Sequence, residues 1–321
     1  MYLVTGGGGF IGSHLVRALV RTGARVRVLD SDPTGARTHL GALSHGAFEW
    51  IDGDVRDAAL LARACRGVEV VFHLAALASV PYSVTHPAQT HETNVTGTLN
   101  TLLAARDGGV RRVVLSSSCA VYGDSPVTPK SERLPPAPVS PYGAQKLAAE
   151  GYCRAFTSAY GLETTVLRYF NVFGPGQDPH SAYSAVVPRF LSAARSGERP
   201  VIYGDGEQSR DFIYVGNVVE ANLRAATAPA ASGATLNVGT GMPITVNALA
   251  AAIGRVTGRP LAPVHAPARA GDIRASAADV TLLRTLLDYT PTIALEEGLE
   301  LTARAWGTAA AVPTRTARGG G

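Results

Sequence analysis

A tyrosine, a lysine and a serine in two short segments are the residues that could do chemistry. The segment SPYGAQK at 140–146 places Tyr142 four residues before Lys146, and Ser118 lies in the run SSSCAVYGD at 116–124. Residues four apart on a helix share a face, so a lysine there can support the phenolate of a tyrosine whose reference pKa is about 10. Ser118 could share a substrate hydroxyl with Tyr142. The pattern predicts an acid–base site, against the alternative of two solvated side chains on an exposed helix.

A glycine-rich segment near the start of the chain predicts dinucleotide binding. In TGGGGFIGSH at 5–14, Gly6, Gly9 and Gly12 follow a predicted strand, and Phe10 and Ile11 open a predicted helix. Glycines in this place permit a tight turn and let backbone amides approach a pyrophosphate, whose charge the helix N-terminus favours. A flexible loop is the alternative interpretation, since a glycine motif alone is weak evidence for dinucleotide binding.

Two aspartates follow the next two predicted strands. Asp30 ends the second strand, 18 residues after Gly12, where a carboxylate can accept the adenosine ribose hydroxyls. A carboxylate there repels the extra phosphate of NADP, so the expected cofactor is NAD. Asp54 follows the third strand and is a second candidate at the adenine end, or else the N-cap of a helix starting near Arg56.

Alternating β-strands and α-helices must position these residues. Short apolar, β-branched runs alternate with stretches of helical period, which predicts an α/β fold with a Rossmann-type doubly wound parallel sheet of six or seven strands. After about Phe170 the chain is richer in Pro and Gly, which indicates a smaller C-terminal substrate-binding lobe. The predicted division is residues 1–170 plus 231–254 for the dinucleotide-binding domain, 171–230 plus 255–306 for the lobe, and 307–321 for a disordered tail. The predicted strands are Tyr2–Thr5, Arg25–Leu29, Phe48–Ile51, Val68–Leu74, Arg112–Ser116, Thr164–Tyr169 and Leu236–Val238.

Composition excludes several other classes of protein. The chain is 46% hydrophobic and 17% charged, with a net charge of +4, which fits a compact enzyme better than a disordered scaffold. Its basic residues are scattered, so no nucleic-acid footprint is expected. The three cysteines form no CxxC pair or metal-ligand cluster, so we expect free thiols and no metal site. No apolar run approaches membrane-spanning length, and a cytoplasmic location without membrane attachment is expected.

Several motifs in order resemble the extended short-chain dehydrogenase/reductase family, in its nucleotide-sugar epimerase and dehydratase branch. They are TGGGGFIG, HLAA at 73–76, NVTGT at 94–98, SSSCAVYG, the Tyr142–Lys146 pair, LRYFNVFGP at 167–175 and YGDGEQSRDFIYV at 203–215. The resemblance covers roughly residues 1–300. It implies NAD-dependent oxidation of a sugar at carbon 4, with Lys146 holding the nicotinamide ribose, and a homodimer built from helices near 90–105 and 142–160. It also places Val55, Leu74, Ala75 and Ala76 at the cofactor.

The residue after Ser118 bears on the fate of the 4-ketone. A 4,6-dehydratase is expected to carry Thr-Asp-Glu where this chain has Ser118, Cys119 and Ala120, so both carboxylates are missing. The Ser-Cys-Ala triplet resembles the UDP-N-acetylglucosamine 5,6-dehydratase of tunicamycin biosynthesis, in which a thiol could donate a proton. We therefore expect a UDP-N-acetylglucosamine dehydratase, with a UDP-N-acetylglucosamine or UDP-glucose 4-epimerase as the alternative. The competing interpretation of Cys119 is a small buried hydrophobe.

The resemblance also implies a set of substrate-binding residues. Arginines suit a diphosphate because their planar donors engage two oxygens, Tyr203 is placed to pack on the base, and the small Ser276 leaves room for a 2-acetamido group. A decarboxylase would need a cation at carbon 6 that the sequence does not reveal, and a non-catalytic NAD(P) sensor would not need the catalytic residues. The predicted substrate-binding residues are Asn171, Tyr203, Arg210, Arg269, Asp272 and Ser276.

Overall fold

The computed structural model describes residues 1–43, 46–178, 186–268 and 273–308 of the 321-residue chain. Its centre is a seven-stranded sheet in the order β11-β6-β5-β4-β1-β2-β3, with every neighbouring pair parallel. Each of the seven predicted strands is present, which confirms the doubly wound α/β fold. The strands of this sheet are β1 Tyr2–Thr5, β2 Val26–Asp30, β3 Glu49–Asp52, β4 Val70–His73, β5 Arg112–Ser118, β6 Glu163–Tyr169 and β11 Thr235–Val238.

Twelve α-helices lie within the described residues, and a π-helical turn, Glu92–Thr96, joins two of them. The long helix α7 carries the predicted acid–base pair. Ser140 caps its N-terminus by accepting a hydrogen bond from the Gly143 amide at 3.1 Å, and Gly161 ends it in the left-handed conformation. The helices are α1 Phe10–Arg21, α2 Pro33–His39, α3 Ala58–Ala64, α4 Val80–Thr85, α5 Pro87–His91, α6 Gly97–Asp107, α7 Pro141–Tyr160, α8 Val186–Ser196, α9 Val215–Thr227, α10 Val246–Thr257, α11 Thr281–Leu287 and α12 Leu295–Thr308.

Apolar side chains cover both faces of the sheet. One cluster joins the sheet to α1, α9 and α11, and the other joins it to α3, α6 and α7. Strands buried on both faces need continuous apolar runs, which is why β4 and β5 are Val-rich segments. The layered packing fixes the carboxyl end of each strand, where the predicted site residues lie.

A third apolar cluster forms the smaller lobe around α8, α10 and α12. Its short strands pair outside the main sheet: β7 Asn171–Phe173 with β10 Phe212–Tyr214, β8 Val201–Tyr203 with β13 Val264–Ala266, and β9 Ser209–Arg210 with β12 Ile244–Thr245 and β14 Ala275–Ser276. Two helices pack in a different domain from the one in which the predicted boundaries placed them. Helix α9 packs on the main sheet and α10 packs in the smaller lobe, because their apolar faces meet those layers.

Some predictions lie outside the described residues. Arg269 and Asp272 are among them, as is the predicted tail from residue 309 onward, while residues 307 and 308 end α12. Across the part of the chain that is described, no helix combines the length and apolar character that crossing a bilayer requires.

Candidate active site

A cavity of about 660 Å³ opens at the carboxyl ends of β1, β4 and β5. The strand order reverses between β1 and β4, and ligands of doubly wound sheets bind at such a switch point. Thirteen predicted cofactor-binding residues line the cavity, and so does the predicted catalytic Ser118. Those thirteen are Gly6, Gly9, Phe10, Ile11, Gly12, Asp30, Asp54, Val55, Leu74, Ala75, Ala76, Tyr142 and Lys146.

The glycine loop packs too closely for side chains at two of its positions. A Cβ on Gly12 would lie 2.1 Å from the carbonyl oxygen of Gly6, and a Cβ on Gly6 would lie 2.6 Å from the amide nitrogen of Ala75. Gly6 also has a positive φ of 69°. No side chain caps the N-terminus of α1, and residues 9–12 at this end line the cavity, which suits the binding of a diphosphate.

The two aspartates at the adenine end differ in their contacts. Asp30 accepts a hydrogen bond from the Gly8 amide at 2.8 Å, so it links the end of β2 to the glycine loop. Asp54 accepts from the Arg56 amide at 2.8 Å and pairs with the guanidinium of Arg56 at 2.8 Å, and these contacts hold its pKa below the usual value. It is not the helix cap of the alternative interpretation, because Asp57 caps α3 by accepting from the Leu60 amide.

A buried polar network orders the segment that follows β4. The imidazole of His73 lies between the hydroxyls of Thr5 at 2.8 Å and Thr98 at 3.0 Å, and burial lowers its pKa to about 3, so it is neutral. Asn94, in the π-helical turn, accepts from the Leu77 amide at 2.8 Å and donates to its carbonyl at 3.2 Å. The network fixes the wall that carries Leu74 to Ala78.

The predicted acid–base residues meet in this cavity. Ser118 ends β5 and accepts a hydrogen bond from the Ala120 amide at 3.2 Å, and its hydroxyl lies near enough to the Tyr142 phenol at the start of α7 to lower the pKa of that phenol. The Lys146 ammonium donates to the Ser116 carbonyl at 2.8 Å and lies 5.8 Å from the centre of the Tyr142 ring. Tyr142 is 8% exposed and Lys146 is 5% exposed, so neither is a solvated surface side chain.

Burial shifts the pKa values of Tyr142 and Lys146 in the directions that favour the uncharged side chains. It raises the pKa of Tyr142 to about 12, against the lowering effect of the hydrogen bond to Ser118. It lowers the pKa of Lys146 to about 8, and the charge of Glu150 opposes that shift. At neutral pH the phenol therefore keeps its proton, and the effect of burial on its pKa exceeds the support that was expected from Lys146.

Cys119 lies next to Ser118 at the substrate side of the site. Withdrawal from water raises the pKa of its thiol to about 11, while the guanidinium of Arg210 lowers it. Part of the residue remains exposed. The thiol is protonated at neutral pH, has the Arg210 cation nearby and packs, partly buried, against the apolar cluster of the main sheet.

The smaller lobe carries four predicted substrate residues, none of which is among the described residues that line the cavity. Ser276 on β14 lies directly opposite Arg210 on β9 in the parallel register, and it is 6% exposed. Asn171 donates to the carbonyl of Asp211 at 3.2 Å, and Tyr203 ends β8. Asp211 is fully buried and accepts from Thr240, Gly241 and Ala278, which anchors the loop beside Arg210.

Three residues of the site were not predicted from the sequence. Gln177 lines the cavity and donates to the Val172 carbonyl at 3.0 Å, while its buried Oε1 has no hydrogen-bond partner among the described residues. Glu150 and Asn94 are buried and contact site residues. The four-residue spacing of Tyr142, Lys146 and Glu150 could have identified Glu150.

Comparison with known proteins decides the family. A profile of the NAD dependent epimerase/dehydratase family matches residues 2–239. The chain belongs to this family. A UDP-glucose 4-epimerase of Mycolicibacterium smegmatis is 41% identical over 94% of this chain and 96% of its own. A UDP-N-acetylglucosamine 4-epimerase from Methanobrevibacter ruminantium, solved with UDP-N-acetylmuramic acid, is 41% identical, with a TM-score of 0.91 over 95% of this chain and 97% of its own.

The site fits the cofactor of the NAD dependent epimerase/dehydratase family. A UDP-glucose 4-epimerase of Thermus thermophilus, solved with NAD, is 37% identical, with a TM-score of 0.87 over 96% of this chain and 99% of its own. In this chain the side-chain-free cradle at Gly12, the uncapped α1 and Asp30 suit the diphosphate and ribose of NAD. Across the described part of the chain, no group of three or more His, Cys, Asp or Glu is placed to hold a metal ion.

Proposed function

We propose that this protein is a 4-epimerase of UDP-hexoses that accepts UDP-N-acetylglucosamine and works through a 4-keto sugar. The observation that carries the proposal is the meeting of Ser118, Tyr142 and Lys146 in the cavity that holds the glycine loop. The epimerase relatives support it, since they match almost the whole chain at about two-fifths identity.

The chain's own residues would move one proton and hold one hydroxyl. Bound NAD would supply a hydride acceptor for carbon 4 of the sugar and would later supply the returning hydride. Tyr142 would accept the proton of the hydroxyl on carbon 4, and Ser118 would hold that oxygen by a hydrogen bond. A phenol that holds its proton cannot accept another, so Tyr142 would first have to release that proton to solvent, and the Lys146 ammonium would favour the phenolate that remains. Tyr142 would then return the proton after the ketone has turned over.

The smaller lobe would bind the UDP group and select the sugar. We place the diphosphate at Arg210, with Asn171 beside it, since a guanidinium can engage two phosphate oxygens at once. Arg269 and Asp272 remain predicted contacts. Ser276, small and opposite Arg210, would leave space for a 2-acetamido group.

A 5,6-dehydratase acting on UDP-N-acetylglucosamine is the second candidate, and Cys119 is the observation that favours it. In such an elimination the hydrogen on carbon 5 leaves as a proton and the hydroxyl on carbon 6 leaves as water. The protonated thiol of Cys119 could supply the proton for that water. Ala120 offers no base for carbon 5, so Tyr142 or another group would have to accept that proton.

The test is incubation of the purified protein with UDP-N-acetylglucosamine, followed by mass spectrometry and proton NMR. An unchanged mass with new signals of the galacto isomer is the expected result. Loss of one water with vinyl signals would replace the epimerase by the dehydratase. If NAD is bound and neither UDP-N-acetylglucosamine nor UDP-glucose changes, both assignments are overturned.

We also propose a homodimer through the helices near 90–105 and 142–160. Two aromatic side chains on α7 support a partner at this face, since Tyr152 is 37% exposed and Tyr160 is 54% exposed. Light scattering of the purified protein tests this. A mass near twice 33.3 kDa is expected, and a monomer at micromolar concentration would contradict it.

A further inference from the structure

One face of α7 carries three buried polar residues at consecutive turns. Tyr142, Lys146 and Glu150 are spaced four residues apart and are 8%, 5% and 1% exposed. The end of β5 meets this face with three consecutive serines. The Ser118 hydroxyl lies beside the Tyr142 phenol, the Ser116 carbonyl accepts from Lys146, and the hydroxyl of Ser117 donates to Glu150.

Glu150 joins the helix to two strands. The Ser117 hydroxyl donates to its Oε1 at 2.5 Å, and Arg168 on β6 donates through Nε to Oε1 at 2.9 Å and through Nη2 to Oε2 at 2.6 Å. The side chains of Glu150 and Arg168 are 0% and 4% exposed. A buried ion pair gains little stability over an apolar pair of the same volume, so stability alone does not account for charges at this place.

The charge of Glu150 also reaches Lys146. Burial lowers the pKa of Lys146 to about 8, and the negative charge that opposes this shift is that of Glu150, one helical turn away. The other titratable groups around Lys146 do not supply a negative charge. His73 on β4 is neutral, Tyr142 keeps its proton, and Arg168 on β6 is a cation.

We propose that Glu150 is a positioning residue of the active site, which holds the end of β5 against α7 and keeps the Lys146 ammonium charged. It touches neither cofactor nor substrate and acts through Ser117 and Lys146. This role rests on the proposed function of Lys146 in supporting the Tyr142 phenolate. The Arg168 guanidinium in turn pairs with both carboxylate oxygens of Glu150 inside the protein.

The composition of the chain allows a direct test. Lys130 and Lys146 are its only two lysines, so protein grown with ¹³Cε-lysine gives two NMR signals, and Lys130→Arg identifies which is which. The signal of Lys146 is followed from pH 6 to pH 10 in the wild type and in Glu150→Gln. The midpoint is expected near pH 8 in the wild type and at least about one unit lower in the variant. Lys130 contacts neither Glu150 nor Arg168, and its midpoint should stay unchanged.

Two further variants separate charge from packing. Glu150→Asp keeps the carboxylate with a shorter side chain, so the Lys146 midpoint should stay near that of the wild type even if the protein is less stable. If Glu150→Gln does not fold because Arg168 is left unpaired, the double variant Glu150→Gln/Arg168→Met removes both charges and should show the same downward shift.

The result that overturns the proposal is a Lys146 midpoint that does not fall in Glu150→Gln or in the double variant. The titration needs no turnover, so its outcome is independent of whether the epimerase assignment holds. A lowered midpoint with no activity toward any UDP-sugar would keep the role of Glu150 and reject the proposed function.

Discussion

The ammonium of Lys146 lies 5.8 Å from the centre of the Tyr142 ring, and both residues are buried at the start of α7. We propose that this cation favours the phenolate, in a place where burial opposes charge on both groups. The proposed reaction therefore depends on the protonation state of Lys146.

We expect kcat to fall as the pH rises through about 8. Burial lowers the pKa of Lys146 to about 8, so the ammonium is present below this pH and is lost above it. Once the cation is lost, the phenolate of Tyr142 loses its support. The measurement is kcat at saturating UDP-sugar between pH 6.5 and 9.5. A kcat that stays constant over this range would contradict the assigned role.

Tyr142→Phe should abolish most activity while the protein still binds NAD. The phenol is the group that would accept the substrate proton, and its loss typically costs about 100- to 10,000-fold in rate. The ring itself stays, so the cavity wall is preserved. Measuring kcat together with the NAD content of the purified variant checks both parts. Activity within about threefold of the wild type would exclude Tyr142 as the base.

Gly12→Ala should weaken NAD binding and lower the melting temperature. The added Cβ would lie 2.1 Å from the Gly6 carbonyl oxygen, so the loop or α1 must shift where the diphosphate is expected. Gly151→Ala is the matched control, since its Cβ on α7 meets no atom within 4 Å and alanine favours a helix. Titration with NAD and thermal melting should separate the two variants. Unchanged NAD affinity in Gly12→Ala would place the diphosphate elsewhere.

The sequence predicted the parts of this molecule that rest on local patterns. All seven strands of the sheet and the lining of the cavity by the glycine loop, Asp30 and Tyr142 follow from periodicity and motif spacing. Contacts made by distant segments were not predicted. The link from Glu150 to Ser117 and Arg168 joins residues 33 and 18 positions apart, and no spacing rule identifies such a partner. The predicted division put α9 in the smaller lobe and α10 in the dinucleotide-binding domain, whereas α9 packs on the main sheet and α10 packs in the smaller lobe.

The sequence also could not predict the protonation states of Tyr142 and Lys146. The spacing of Tyr142 and Lys146 places them on one face, but their pKa values depend on burial, which only the fold reveals. Motif spacing therefore identified the two groups but could not predict their protonation states.

Ser276→Tyr should shift selectivity away from UDP-N-acetylglucosamine. Ser276 lies opposite Arg210 on neighbouring strands, and a bulky ring there would fill the space proposed for the acetamido group. We expect kcat/KM for UDP-N-acetylglucosamine relative to UDP-glucose to fall about tenfold, the size expected for a steric change in a pocket. Ser276→Ala is the control and should leave the ratio unchanged. An unaltered ratio in Ser276→Tyr would remove this residue from the sugar pocket.

Cys119→Ala should retain kcat within about threefold if the protein is an epimerase. Epimerisation at carbon 4 needs one proton acceptor, which Tyr142 would supply, and no step of that reaction needs the proton that the thiol, with its pKa of about 11, retains. The reaction is followed by NMR with UDP-N-acetylglucosamine, and Cys119→Ser serves as a control that keeps a hydroxyl proton. A loss of about 100-fold or more in Cys119→Ala, partly restored in Cys119→Ser, would show that the side chain donates a proton. That result would identify elimination at carbon 6, and the dehydratase would then replace the epimerase.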